Sequence, residues 1–145
     1  MILMWYHSNM NLLNRDTDYA LRAILYIANS SKEIVSTKEL NDSLDLPRPF
    51  MRKIFQVLQK EGVLTSSKGN MGGFALAKHP KDIYLADIMK IFQGELNYCE
   101  CVLKEKICPN KQSCPLRRRV KRIEVIVRKE IEGVTLAKLL QENAK

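Results

Sequence analysis

The segment 36–77 carries a pattern of helix starts and breaks that few folds satisfy. Ser36 and Glu39 stand three residues apart, which is the spacing of a capping box, so a helix is predicted to start at Ser36. Pro47 ends that helix, because the residue before a proline disfavours helical geometry. Pro49 suits the first turn of the next helix. The pattern therefore predicts two helices joined by a tight turn.

A glycine-rich stretch after the second helix predicts a hairpin. Gly62 can adopt the left-handed conformation that closes the helix. Residues 63–66 and 74–77 are short β-prone runs on either side of residues 68–73, which hold three glycines. Two helices followed by a Gly-tipped hairpin is the order of a winged helix-turn-helix, whose second helix enters the major groove of DNA. The expected partner is therefore double-stranded DNA.

Apolar residues at three- and four-residue spacing predict further helices on both sides of this unit. The first is expected to be capped by Asp16 or Thr17 and to run to about Ala28. A short one is expected to end at Gly94, and a long one to span residues 116–132. The long helix carries an apolar stripe at coiled-coil spacing, formed by Leu116, Val120, Ile123 and Val127. This stripe favours pairing with a second copy of the chain, the alternative being packing on its own domain.

The fold class predicted from these elements is mainly α: a winged helix-turn-helix domain with a two-stranded β wing and a long C-terminal dimerisation helix. A chain of 145 residues suits one domain with an appended arm. The predicted division is an N-terminal extension (1–9, with Met10 as the expected start), a DNA-binding domain (10–95), a cysteine loop (96–115), and the dimerisation helix with a C-terminal tail (116–145).

Composition restricts the class of protein further. No run of eighteen apolar residues occurs and residues 1–13 lack the features of a secretory signal, so a cytoplasmic location is expected. The net charge is +8, and residues 104–129 hold ten Lys or Arg against two Glu. Such a basic excess suits nucleic acid but also an ordinary solvated helix face. His7 and His79 offer no convincing base for a cysteine nucleophile, so no enzymatic activity is expected.

Candidate DNA contacts cluster on the second helix and the hairpin. Arg48, Arg52 and Lys53 lie on the first turns of the helix, where Arg can bond guanine edges and Lys can pair with phosphate. Lys68 at the hairpin tip can reach the minor groove. The alternative is that these cations only solubilise an exposed surface. The full candidate set is Ser36, Thr37, Arg48, Arg52, Lys53, Lys68 and Asn70.

Three of the four cysteines, Cys101, Cys108 and Cys114, lie within fourteen residues of polar sequence. Counted from Cys99, the spacing is C-x-C-x6-C-x5-C. In a reducing compartment such a cluster favours metal binding or redox sensing over a structural disulfide. The gaps fit the paired ligands of tetrahedral zinc poorly, whereas an iron–sulfur cluster takes separate thiolates across wider gaps. The residues leave open a cluster, a zinc site and a metal-free thiol switch.

Over residues 10 to about 140, the chain resembles the Rrf2 family of bacterial winged-helix regulators, in its iron–sulfur cluster sensor type. The motifs that carry the resemblance are Thr-Asp-Tyr-Ala-Leu-Arg at 17–22, Lys-Gly-Asn-Met-Gly-Gly-Phe at 68–74, Glu100-Cys101, Cys108, Cys114, and Thr-Leu-Ala-Lys-Leu-Leu at 135–140. The resemblance implies a homodimeric transcription factor whose long helices cross, with each cysteine loop near the first helix of the partner.

The resemblance also implies an iron–sulfur cluster (2Fe-2S or 4Fe-4S) ligated by Cys101, Cys108 and Cys114 plus one further residue. The iron–sulfur regulator branch carries a His three residues after its last Cys, where this chain has Arg117. The nitric-oxide-sensing branch uses a carboxylate from the other subunit at the position of Asp18. Asp18 is therefore the preferred fourth ligand, Cys99 is its rival, and the alternative role of Asp18 is to complement the helix dipole.

The resulting hypothesis is a DNA-binding transcriptional regulator, expected to act as a repressor on a palindromic operator. An iron–sulfur cluster that senses nitric oxide, redox state or iron–sulfur status would control its affinity by fixing the separation of the two recognition helices. The alternatives are a metal-free thiol redox-switch regulator, or a zinc-stabilised protein-interaction module whose basic helix binds an acidic partner.

Overall fold

The computed structural model describes residues 12–70, 72–95 and 113–143. Within these ranges the chain forms six α-helices, one short 3₁₀ helix (Pro80–Asp82) and a three-stranded sheet. The elements are α1 (Arg15–Asn29), β1 (Val35–Ser36), α2 (Thr37–Leu44), α3 (Arg48–Lys60), β2 (Leu64–Ser67), β3 (Gly73–Leu76), α4 (Leu85–Gln93), α5 (Pro115–Glu132) and α6 (Leu136–Asn143). The predicted mainly helical class is confirmed.

The apolar faces of the first three helices meet in one core. Ile24 of α1, Leu40 of α2 and Leu58 of α3 are fully buried, and burying each such side chain stabilises the fold by roughly 1.5–3 kcal/mol. Ile54 and Phe55 also face this core, as the spacing along α3 predicts. Both α2 and α3 pack on α1 in this core, which leaves the opposite side of α3 to solvent.

Helix α1 begins slightly earlier than predicted. Asn14 is its N-cap residue, and the Asn14 Oδ1 accepts a hydrogen bond from the Thr17 N–H at 2.8 Å. The predicted cap at Asp16 or Thr17 is therefore wrong, since both residues lie within the first turn. An asparagine amide satisfies the free N–H groups of a first turn as well as a carboxylate does, and here it also reaches α4.

Helix α2 begins as predicted, with Ser36 as its N-cap residue. The Ser36 Oγ accepts a hydrogen bond from the Glu39 N–H at 3.1 Å. The Glu39 carboxylate turns outward instead of completing the capping box, and it accepts hydrogen bonds from Lys32 (2.6 Å) and Tyr26 (3.2 Å). The hydrogen bond from Lys32 lowers the pKa of Glu39 and raises the pKa of Lys32.

The predicted wing hairpin forms from β2 and β3, and a third strand joins it. The strand order is β1-β3-β2, with all pairs antiparallel. β1, whose Val35 pairs with Phe74, was not predicted because two residues show no alternation. Gly73 is required here, since a Cβ would overlap the Val35 carbonyl oxygen. Phe74 stacks on Phe55 with ring centroids 4.5 Å apart, which anchors the wing on α3.

The C-terminal part of the chain returns to the core. Gly94, with φ of +77°, ends α4 as predicted. The N–H of Leu136 donates to the Ile83 carbonyl at 2.8 Å, and Leu136 is buried. Helix α6 was not predicted, because these residues were assigned to a tail. None of the helices in the described ranges is long and apolar enough to cross a membrane.

Candidate DNA-binding face and cysteine segment

One side of α3 is buried and the other faces solvent. The buried side carries Met51, Ile54, Phe55 and Leu58. Because successive residues turn about 100° around a helix, the opposite side is centred on Pro49, Arg52, Lys53, Gln56 and Lys60, all of which are exposed. We call this surface the recognition face. Gln56 was not predicted as a site residue, although its place one turn after Arg52 was a usable signal.

Arg48 and Arg52 extend from the first two turns of α3. Both side chains are exposed, and neither has an ion-pair or hydrogen-bond partner in the part of the chain that the structure describes. A guanidinium group without a protein partner can bond bidentately to the O6 and N7 of guanine or to a phosphate. The two arginines are thus placed as a DNA contact requires.

Lys53, the third predicted cation of α3, is held by the protein itself. Its Nζ lies 2.9 Å from Oδ2 of Asp16 on α1, with the side chains 65% and 26% exposed. An exposed ion pair of this kind contributes only about 0–1 kcal/mol to stability. In the structure the ammonium group of Lys53 therefore lies beside the carboxylate of α1.

An aromatic pair joins the first turn of α3 to α1. The rings of Phe50 and Tyr19 meet edge to face, with centroids 6.3 Å apart and planes at 70°. Phe50 remains 38% exposed. Together with the ion pair of Lys53, this contact fastens the start of α3 to the first turns of α1.

The remaining candidate residues lie at the start of α2 and at the tip of the wing. Ser36 uses its Oγ as the cap of α2, and Thr37, the first residue of that helix, is exposed. Lys68 and Asn70 are exposed at the hairpin tip. The amide of Gln59 donates to Ser66 Oγ at 2.8 Å and ties α3 to the wing. The candidates therefore lie on elements that the structure holds together.

The metal-ligand prediction falls largely outside the described residues, which include neither Cys99, Cys101 nor Cys108. Cys114 is the N-cap residue of α5 and is partly exposed. Asp18 on α1 is 41% exposed, and its Oδ2 accepts a hydrogen bond from Arg22 Nε at 2.9 Å. No group of three or more possible metal ligands occurs within residues 12–70, 72–95 and 113–143. The four-ligand set remains a prediction.

An ion pair marks the end of α4, just before the cysteine segment. Lys90 Nζ lies 2.7 Å from Glu95 Oε1, and both side chains are mostly exposed. The hydrogen bond from Lys90 lowers the pKa of Glu95, and the same contact raises the pKa of Lys90. This exposed ion pair links α4 to the residue that follows its Gly94 cap.

Helix α5 exposes much of its apolar surface. Leu116 and Ile123 are 71% and 58% exposed, while Val120 and Val127 are half-buried. Ile131 is the residue of this helix that is fully buried. The described part of the chain therefore covers Val120 and Val127 only partly and leaves Leu116 and Ile123 largely uncovered.

Comparison with known proteins identifies the family. The model of the Rrf2 family, described as iron-dependent transcriptional regulators, matches residues 13–142. A relative from Aquifex aeolicus (strain VF5), classed among HTH-type transcriptional regulators, is 31% identical over 129 residues, covering 88% of this chain and 90% of its own. The chain belongs to the Rrf2 family. The predicted family is confirmed, and so is the broad function of an Rrf2 transcriptional regulator.

Solved structures of similar fold agree with this assignment. CymR (YrzC), the global cysteine regulator of B. subtilis, has a TM-score of 0.77 at 21% identity, covering 92% of this chain and 98% of its own. IscR of T. potens has a TM-score of 0.70 at 22% identity, covering 92% of this chain and 89% of its own. At these identities the likeness supports the Rrf2 winged-helix fold alone.

Proposed function

We propose that this Rrf2 regulator is a cytoplasmic homodimeric repressor that binds a palindromic operator and whose affinity is controlled by an iron–sulfur cluster. In this proposal residues 10–95 bind DNA, residues 96–115 hold the cluster and residues 116–145 form the dimer. The signal is nitric oxide, redox state or iron–sulfur supply.

The observation that carries the DNA-binding role is the recognition face of α3. It presents Arg52, Lys53 and Gln56 on one exposed side, with Arg48 at its edge and Lys68 on the adjoining wing. Side chains of these types read guanine and adenine edges or contact phosphate. Helix α3 itself carries no carboxylate, as phosphate binding favours, although the Asp16 carboxylate of α1 is paired with Lys53.

The exposed apolar stripe of α5 supports the dimer. Leu116 and Ile123 lie on one side of the helix, uncovered by the described part of the chain. A second copy related by a twofold axis would bury the same stripe on both helices. Two recognition helices then meet half-sites about one turn of DNA apart, which explains the palindrome.

The residues that the structure describes are compatible with a cluster. Cys114 is the partly exposed N-cap residue of α5, next to the cysteine segment, and Arg117, Arg118 and Arg119 follow within the first turns of that helix. The partly exposed carboxylate of Asp18 is accessible to a second subunit. We propose Cys101, Cys108, Cys114 and the Asp18 of the partner subunit as ligands. Such a cluster supplies a group that reacts with oxygen and nitric oxide.

DNA recognition is tested on a duplex selected from a random library by the full-length protein. Arg52→Ala is expected to weaken binding to this duplex roughly tenfold to a hundredfold, because a bidentate base contact is lost. Lys121→Ala, which removes one positive charge from α5, is the matched control. Fluorescence anisotropy across a salt series checks both. Equal affinity of the wild-type protein for a scrambled duplex would refute sequence-selective binding.

The cofactor is tested on protein purified without air. Iron and acid-labile sulfide in matching amounts, lost on combined Cys101→Ala, Cys108→Ala and Cys114→Ala substitution and retained in Cys99→Ala, are expected. Loss in Cys99→Ala with retention in Asp18→Ala would make Cys99 the fourth ligand. A colourless protein that forms one specific disulfide would support the thiol switch, and stoichiometric zinc would support a zinc site.

A further inference from the structure

Hydrogen bonds join the end of α4 to the first turn of α1. The Gln93 side chain uses both ends of its amide. Its Nε2 donates to the Leu12 carbonyl at 3.0 Å, and its Oε1 accepts from the Asn14 N–H at 3.1 Å and the Thr17 hydroxyl at 2.9 Å. The Asn14 amide in turn donates to the Phe92 carbonyl at 3.1 Å. We call Gln93, Asn14 and Thr17 the clasp.

The clasp contains more hydrogen bonds than are needed to start α1. Asn14 already caps α1 by accepting from the Thr17 N–H, so the bonds to Gln93 add nothing to helix initiation. Thr17 is completely buried, and a buried hydroxyl without a partner costs about 1–3 kcal/mol. Gln93 satisfies that hydroxyl, and so the sequence of α4 is matched to that of α1.

The opposite side of the same turn of α1 holds the recognition helix. Asp16 bonds Lys53 at 2.9 Å, and Tyr19 packs against Phe50. One stretch of α1 is therefore fastened to α4 on one side and to α3 on the other. These contacts connect the end of α4, through the first turns of α1, to the start of α3.

We propose that Gln93 is a positioning residue that sets the recognition face of α3 through the first turn of α1 and couples it to the cysteine segment. This inference rests on the proposed DNA-binding function. Gln93 is the last residue of α4, and Cys99 follows six residues later. The clasp therefore lies where the chain leaves α4 toward its cysteines, and it would give one chain an internal route from that point to its DNA-reading helix.

The test uses the full-length protein, the selected duplex and iodoacetamide as a probe of the cysteines. Coupling between DNA binding and the cysteine segment acts in both directions. The duplex is therefore expected to change the rate at which iodoacetamide alkylates the wild-type cysteines. Mass spectrometry measures this rate for each cysteine. Gln93→Leu is expected to weaken duplex binding about tenfold and to remove that rate change. Gln93→Glu, which keeps the acceptor and loses the donor, should restore part of both.

Gln141→Leu is the same change at an exposed position of α6, a helix that contacts α1 of its own chain and carries none of the stripe residues proposed for the dimer; this control should match the wild type. A Gln93→Leu protein with a lower melting temperature but an unchanged effect of DNA on alkylation would overturn the proposal, as would a wild type whose cysteines ignore DNA. Iron content decides the cofactor separately. Protein without iron that still shows the Gln93-dependent effect would refute the cluster and keep the coupling.

Discussion

Apolar side chains are buried in the core formed by α1, α2 and α3, whereas several of those on the long helix α5 are exposed to solvent. In the core, Ile24, Leu40 and Leu58 have no exposed surface. On α5, Leu116 and Ile123 are more than half exposed, although the helix is longer than any other in the described ranges. The core region is complete within one chain, whereas the described residues leave much of the apolar stripe of α5 uncovered.

The largest expected effect is on the free energy of unfolding, which substitutions in the core and on the α5 stripe should change differently. Leu58→Ala should lower the free energy of unfolding by about 2–5 kcal/mol, because it leaves a cavity in a closed core. Leu116→Ala is the matched change on α5, and its cost should grow with protein concentration because in the proposed dimer a second copy covers that position. Urea denaturation at several concentrations measures both. Equal, concentration-independent losses would erase the distinction between the regions.

The second prediction concerns the exposed apolar stripe of α5. Ile123→Glu places a charge on the uncovered stripe and should weaken the dimer by about 2 kcal/mol or more, which is about thirtyfold in the dissociation constant. Val125 is 59% exposed but lies about 200° around the helix from Ile123. Val125→Glu should therefore leave the dimer intact. Sedimentation equilibrium measures the dissociation constant of each variant. Equal constants would count against pairing through this stripe.

A smaller effect is expected from removing the hydrogen bond that caps α2. Ser36→Ala removes the cap of α2 and should cost about 1 kcal/mol of stability, because the N–H of Glu39 loses its acceptor. Ser31→Ala, at an exposed loop position, serves as the control. Thermal unfolding measures both variants. Equal melting temperatures would show that the cap contributes nothing measurable.

The smallest effect is electrostatic and depends on pH. Lys32 holds the pKa of Glu39 below its usual 4.5, so the pair stabilises the fold at neutral pH. That contribution is lost as the pH falls through the lowered pKa of Glu39. Lys32→Met should bring the pKa of Glu39 back toward its usual value, as an NMR titration would detect. Lys38→Met is the control, and an unchanged titration of Glu39 in Lys32→Met would exclude the contact in solution.

Local signals were sufficient for the winged helix-turn-helix. The Ser36 cap, the break at Pro47 and the left-handed Gly62 are each decided by backbone geometry within a few residues. The features that the sequence did not predict lack such a local signal. β1 is too short to show a period, and Asn14 was not predicted as a cap because its choice depends on α4, which lies about eighty residues away in the chain.

The candidate site divides in the same way. The chemical types of Arg48, Arg52 and Lys53, and their places on the first turns of α3, are enough to predict a DNA-binding helix. Their states differ for reasons that no local pattern contains: Lys53 is held by Asp16 of another helix, while Arg52 has no partner among the described residues. Gln56 is a candidate because the buried side of α3 lies opposite it.

The sequence by itself determined the order of α1 to α5, the glycine-tipped wing, the cysteine spacing and the Rrf2 family, because each depends on neighbouring residues or on a linear motif. The tertiary structure decided which part of the α5 stripe is covered, which cation of α3 is already paired, and that Gln93 joins α4 to α1. Those facts depend on contacts between residues distant in the chain, and such contacts are fixed only when the helices pack.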